Sequence, residues 1–369
     1  MLYLGIDQHH KQLTISLRNG EGNVILKRQV STRPEKTRAF LDDVRSRSGD
    51  DGFMAVLEVC GFNDWLIELL GEVGCREVVL IHPGKRSRRK TDRRDASKLS
   101  ELLWLNGERL RNGQQPQGLR RVVIPSPDDQ ADRQLTALRK RVGQQRTRSI
   151  NKIKNILRRH NLTWDQPTKT FQTRMVRKWL SELDLPEMDR LEMDQLLAQW
   201  TLWERQLEQL EKRIKQRYEK NASAKILATA PGGGAYSTLA IASRIGSIER
   251  FASPRSLANY FGLTPSCRNS GEATDRLGSI TKEGSGMVRF ITGQMVLHAL
   301  KRDPHMREWY RRIRRRRGSK IARVAVMRRL VTIFWHMLTH QEGYCIGGPP
   351  RLRFQQAHRK RKQKSAGVL

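Results

Sequence analysis

Three strand-like segments, YLGIDQ, LTISLRN and NVILKRQV, open the chain before any helix-like pattern appears. A Gly-rich turn around Gly20 to Gly22 separates the second from the third, so these two read as an antiparallel hairpin. This opening narrows the possible folds more than any other feature, because it commits one half of a sheet to antiparallel pairing. A polar helix-like stretch follows at about 33–48, then the buried-strand candidate FMAVLEV, a helix-like segment at 64–73, and REVVLIHP, a strand closed by Pro83. Strands and helices thus alternate over roughly the first 110 residues, the pattern of an α/β layered domain.

Antiparallel strands, a helix, then strands separated by helices is the order of an RNase H-like fold. The 369 residues exceed what one hydrophobic core usually serves, so at least two domains are expected. A long basic helix is expected at about 128–162, where Leu135, Leu138, Val142, Ile150, Ile153 and Leu157 recur at near-helical spacing. A second, at 191–218, carries Leu196, Trp200, Trp203, Leu207, Leu210 and Ile214. The two can pair as an antiparallel coiled coil or a plain helical hairpin, or drive self-association. Pro231-Gly232-Gly233-Gly234 marks a boundary, after which short helices and loops lead to helices at about 284–301 and 319–340. The second of these follows the arginine run Arg311 to Arg317. The expected regions are an α/β catalytic domain at 1–125, a helical coiled-coil, oligomerisation and nucleic-acid-binding region at 126–222, a mainly α-helical domain at 223–345, and a disordered basic tail at 346–369.

Lys and Arg number 71 against 37 Asp and Glu, a formal charge of +34. Clustered cations release counterions from a polyanion, so nucleic acid is the expected partner. A membrane is not expected, since no apolar run approaches the ~20 residues of a spanning helix, and MLYLGIDQHH lacks the features of a secretory signal. Cys60, Cys75, Cys267 and Cys345 stand singly, which fits a reducing cytoplasm rather than a zinc site or a disulfide framework. His9 and His10 are adjacent, so on a strand they face opposite sides and do not chelate together.

Asp7 closes the first strand and Glu58 lies in a later strand of the same expected sheet. Burying two carboxylates near each other is costly unless a cation compensates. Asp92 and Asp95, three residues apart in KTDRRDA, project from one face of a helix start and can reach back to the sheet. Taken alone, such a pair is a helix cap or an offset to the helix dipole. Four acids in this α/β setting point instead to oxygen ligation of hard divalent cations, of the kind that act on phosphodiesters. A basic run from Lys85 to Arg94 surrounds the pair.

A second constellation is the Gly- and Pro-punctuated stretch 260–271, YFGLTPSCRNSG, in which Ser270 precedes Gly271. Glycine permits close backbone approach, and nearby cations can offset charge on an attacked phosphate. Ser-Gly in a loop is ordinarily a turn, and no histidine base lies close in sequence. Ser266 follows Pro265, Ser279 follows Gly278 and Tyr260 sits in a helix-like segment, so none of these is preferred as nucleophile. The candidate nucleic-acid contacts are Lys85, Arg86, Arg88, Arg89 and Lys90 beside the acids, and Arg146, Arg148, Lys152, Lys154 and Arg158 on the long helix. Arg268, Lys282 and Arg289 around Ser270, with Arg314 and Arg315 of the arginine run, complete the set.

GIDQHHK, LEVCG, KTDRRDA, the Pro-Gly-Gly-Gly segment and GLTP…NSG…ITKEG…R together resemble the DEDD-type insertion-sequence recombinases, a bridge-RNA-guided family. The resemblance spans about 1–345 and keeps the family's motif order. It implies a RuvC-like, RNase H-fold domain with the tetrad Asp7, Glu58, Asp92 and Asp95, and a C-terminal transposase domain with Ser270 as nucleophile. It implies Mg²⁺, with Mn²⁺ as the alternative, and a covalent phosphoserine link to DNA. It further implies donor and target DNA, a structured noncoding bridge-type RNA, a dimer or tetramer in which acidic and serine domains of different subunits meet, and a bacterial, nucleoid-associated setting. The long basic helices would suit contacts to RNA backbone and shape. One departure stands out: the family's Pro-Gly-Ile-Gly is Pro-Gly-Gly-Gly here, so the third position lacks an apolar anchor. Two other readings remain open, a metal-dependent junction-resolving nuclease in which Ser270 is structural and a noncatalytic RNA-binding scaffold.

Overall fold

Strand β1 (Leu2–Gln8) is buried along its whole length, as befits a central strand covered on both faces. The computed structural model describes residues 1–82, 92–267 and 277–347, with Asp92, Arg93, Cys267 and Leu277 described by backbone alone. Its contacts divide into two compact units, Met1–Ile124 and one beginning at Pro125. In the first, β1 pairs antiparallel with β2 (Gln12–Arg18), which pairs antiparallel with β3 (Val24–Ser31). After helix α1 (Pro34–Ser48), strand β4 (Phe53–Glu58) joins the other side of β1 in parallel. Helix α2 (Asp64–Glu72) then leads to β5 (Glu77–Ile81), parallel to β4, giving the order β3-β2-β1-β4-β5. This is the expected α/β sheet, and its layout is compatible with an RNase H-like fold.

Alternation along the strands sorts the side chains into two apolar faces. Leu4, Ile6, Ile15 and Leu57 pack with Phe40 and Leu70 on the α1 and α2 side. Tyr3, Met54, Val56 and Val79 pack with Leu99 and Leu103 of α3 (Asp92–Arg111) on the other. The edge strands are protected in two ways. β3 exposes Lys27 and Arg28, while the segment after α3 runs along β5, Val122 N donating to Leu80 O at 2.7 Å and His82 N to Arg120 O at 2.9 Å.

The second unit begins with α4 (Pro127–Arg159), α5 (Arg174–Glu182) and α6 (Glu187–Lys220). Contacts Arg139 to Glu211, Ser149 to Gln199 and Arg159 to Asp189 rise in number along α4 as they fall along α6, so the two helices are antiparallel. Ile150, Ile153 and Leu157 meet Met193, Leu196 and Trp200, with α5 packed on the same cluster. The expected coiled coil does not follow from this pairing. Inward positions of α4 include the buried polar residues Asp132, Thr136 and Ser149, where an uninterrupted heptad seam would be apolar.

A further core gathers α7 (Ala222–Ala228), α8 (Ala235–Ile245), α9 (Pro254–Tyr260), α10 (Gly286–Arg302) and α11 (Pro304–His340) around Leu227, Leu239, Phe261, Val296 and Phe334. The helix expected at 319–340 is present, and one expectation is extended and another corrected. A further helical segment at 304–317, capped by the Asp303 side chain, takes in the arginine run, and Gly318 (φ 81°, ψ 167°) kinks the chain between the two. The stretch 260–282 is not wholly loop, since β6 (Pro265–Cys267) and β7 (Leu277–Ile280) form a short antiparallel hairpin. The glycine at the third position of the Pro-Gly-Gly-Gly turn also finds its reason. A Cβ at Gly233 would stand 2.9 Å from Ala228 Cα and from Leu227 O, so the turn closes directly on the end of α7. The basic tail from residue 348 lies outside the described residues. Among the described residues, no helix is long and apolar enough to cross a membrane.

Candidate functional site

Asp7 and Glu58 sit one step beyond the last registered pair of adjacent parallel strands, Ile6 and Leu57. Equivalent positions on parallel neighbours share a face, and the alternation of Tyr3, Met54 and Val56 fixes it as the face covered by α3. What lets α3 approach is Gly5. A Cβ there would lie 2.4 Å from Ala96 O and 2.5 Å from Ser100 N, so the helix backbone rests directly on β1. Since Leu103 and Gly107 lie over Tyr3, the helix starts near the end of β1 that carries Asp7. Asp95 immediately precedes Ala96 in this first turn, and the backbone of Asp92 begins the helix. The sheet and α3 therefore bring Asp7, Glu58 and the turn bearing Asp92 and Asp95 to one corner.

Asp7 is 8% exposed. Its Oδ2 is 3.3 Å from His9 Nε2, a ring whose side chain is 43% exposed. The donors at this corner are carboxylate oxygens, the chemistry a hard divalent cation takes. Among the described residues no three His, Cys, Asp or Glu side chains close on a common point, and the Asp92 carboxylate lies outside them. Lys85, Arg86, Arg88, Arg89 and Lys90 also lie outside the described residues.

Sequence reading missed a polar network that ties the two acid-bearing strand ends together. Asn63 Nδ2 donates to Gln8 Oε1 at 2.9 Å and to Glu58 O at 3.1 Å, while its Oδ1 accepts from Cys60 N at 2.6 Å. Gln8 Nε2 in turn donates to Phe62 O at 3.0 Å. Both side chains are buried, and they fasten the residue after Asp7 to the loop after Glu58. Removing them leaves buried polar groups unpaired. Asn63→Ala is therefore expected to cost about 2 kcal/mol, several degrees in thermal melting; an unchanged melting temperature would show that the network holds nothing. Cys75, by contrast, is inert, because burial pushes its thiol up to about 12.

Ser270 and Arg268 lie outside the described residues, but the segments that flank them do not. The GLTP arm and the TKEG arm cross backbone to backbone. A Cβ at Gly262 (φ +65°) would lie 2.1 Å from Glu283 O, and one at Gly284 (φ +73°) 2.0 Å from Tyr260 O. Only glycine meets both the space and the left-handed backbone there. Thr281 N donates to Thr264 O, Lys282 N to Gly262 O, and Ser266 Oγ to Ser279 O at 3.0 Å, so the hairpin continues the crossing toward residues 268–276.

Arg289 occupies an unexpected place. Its Nη1 donates to Phe261 O at 3.0 Å, Glu283 O at 2.8 Å and Gly284 O at 3.3 Å, which pins the two arms together. Of the other cations, Arg148, Lys152, Arg158, Lys282, Arg314 and Arg315 are exposed, and Arg146 is half-buried. Lys154 Nζ lies 4.8 Å over the Phe171 ring.

Residues 4–162 match a DEDD transposase model of the IS110 type, and residues 224–311 match the Transposase IS116/IS110/IS902 family. The first span includes Asp7, Glu58, Asp92 and Asp95, and the second includes Ser270. The transposase for insertion sequence element IS1111A of Coxiella burnetii is 27% identical over 302 residues, covering 79% of each chain. A putative transposase of Sinorhizobium fredii, y4pF/y4sB, is 25% identical and covers 78% of this chain and 73% of its own length. A probable family 20 transposase of Pseudomonas aeruginosa is 24% identical, covering 80% and 86%.

Proposed function

This chain belongs to the IS110-type insertion-sequence transposases, and from that premise we propose that it cuts and rejoins DNA through a phosphoserine intermediate under the guidance of a structured RNA. The observation that carries the reading is the corner where α3 rests on Gly5 and its acid-bearing first turn meets the Asp7 and Glu58 face. Asp7, Glu58, Asp92 and Asp95 would hold a divalent cation, Mg²⁺ or Mn²⁺, which supplies charge neutralisation at a phosphodiester. Ser270 Oγ forms a bond to phosphorus, the P–O bond to the departing strand breaks, and the released strand end takes up a proton as a hydroxyl. The reverse attack, by a hydroxyl from another strand, restores Ser270 and joins the exchanged strands. The cations around the two motifs hold the phosphate backbone, and base pairing with the RNA supplies sequence choice. Donor and target DNA, the RNA and further copies of the chain are the partners this reading requires.

The test uses wild type and Ser270→Ala with the element's own RNA and DNA ends, and asks for protein covalently joined to DNA on a denaturing gel. Wild type is expected to give a divalent-ion-dependent adduct and Ser270→Ala none. Cleavage that persists in Ser270→Ala would overturn the serine step in favour of a metal-dependent nuclease.

A further inference from the structure

We propose that one exposed face of α4, together with Trp164, forms a single nucleic-acid surface in which the helix follows a phosphate backbone and the indole stacks on an unpaired base at its end. The proposal rests on the reading that this chain binds nucleic acid, and it specifies what feature of the ligand is recognised.

Between Arg133 and Arg159, α4 contains no Asp or Glu. Two of its cations are neutralised by acids of α6, Arg139 by Glu211 at 2.7 Å and Arg159 by Asp189 at 2.6 Å. Arg141, Arg148, Lys152 and Arg158 are exposed, and among the described residues they enter no ion pair or side-chain hydrogen bond. With Gln145 and Asn155 they recur every three or four residues, so they make one stripe. At 1.5 Å per residue the stripe is about 26 Å long, enough to follow several phosphates.

Helix α4 ends in a tight reversal: Asn161 takes φ 56° and Leu162 N donates to Leu157 O at 2.8 Å. Trp164 follows at once and is 87% exposed. The same loop already has its apolar anchor, since Phe171 is buried and stacks on Trp200 with centroids 5.9 Å apart. Trp164 therefore contributes little to the core. Lys169 and Arg174, later in this segment, are exposed as well. A solvent-facing indole in a segment that also carries exposed cations suits binding of bases through their faces, irrespective of sequence.

The experiment measures binding of the full chain to a labelled hairpin with a three-nucleotide unpaired end and to its blunt counterpart, each made as RNA and as DNA. Trp164→Ala is expected to lose roughly ten-fold in affinity for the hairpin with the unpaired end and to match wild type on the blunt one, while Trp164→Phe retains most of the binding. Arg148→Ala/Lys152→Ala is expected to weaken both ligands alike and to reduce the salt slope by roughly two. The RNA and DNA arms identify which strand supplies the base. Trp164→Ala binding both hairpins as wild type does, or losing equally on both, would overturn the stacking role while leaving nucleic-acid binding intact. Wild type binding none of the four would overturn the underlying reading as well.

Discussion

Asp7→Asn is expected to cut DNA at least about a hundred-fold more slowly than wild type and yet to melt no earlier. Asp7 is nearly buried at the end of β1, with Glu58 at the matching position of the next strand and Asp95 in the helix turn that presses toward both. Gathering like charges in a partly dry corner works against folding and is tolerated at functional sites for what it does there. Asparagine keeps the size and a hydrogen-bonding oxygen but removes one charge, so folding loses little. The His9 contact does not reverse that sign, because its ring is 43% exposed and such pairs contribute little. Thermal melting beside a nicking assay separates the two effects. A melting temperature that falls in step with activity would make Asp7 a structural strand-end acid and remove it from the proposed tetrad.

What could be read from the sequence divides along the range of the forces involved. β1, β2 and β4 are legible because each carries enough apolar residues to need burial, and α4 and α6 because their apolar positions repeat over many turns. Helix α5 is not, since RMVRKWLSE offers only Val176 and Leu180 as fully buried positions among charges. The first half of α11 hides for a related reason. An arginine run reads as a solvated stretch, although Asp303 as N-cap and Pro304 behind it are a helix-start signal that could have found it. The acids Asp7, Glu58 and Asp95 stand out by motif and by their place on elements. The Gln8 to Asn63 bond does not, because it joins residues 55 apart and neither is unusual where it stands. Arg289 is the sharpest case. Its charge suggests a phosphate, but its Nη1 lies among three carbonyls that only the crossing of two distant glycine turns brings together.

Gly5→Val is expected to lower the melting temperature of the first unit by roughly 10 °C or more, from about 3 kcal/mol of overpacking, and to abolish cutting even where the chain stays folded. The first added carbon would stand 2.4 Å from Ala96 O and 2.5 Å from Ser100 N, distances that Cβ atoms do not tolerate. Both obstacles are backbone atoms inside a helix, so neither can swing aside as a side-chain end would. Relief requires α3 to lift from β1, which opens the packing of Leu99 and Leu103 on Met54 and Val56. The same lift carries the Asp92–Asp95 turn away from Asp7 and Glu58, so stability and activity fall from one displacement. Gly71→Ala supplies the control: this glycine lies within α2, and a Cβ there meets nothing within 4 Å. Alanine is the better helix former, so that variant should match or slightly exceed wild type. Gly5→Val melting alongside Gly71→Ala would mean that α3 does not rest on β1, and the proposed acidic site would lose its support.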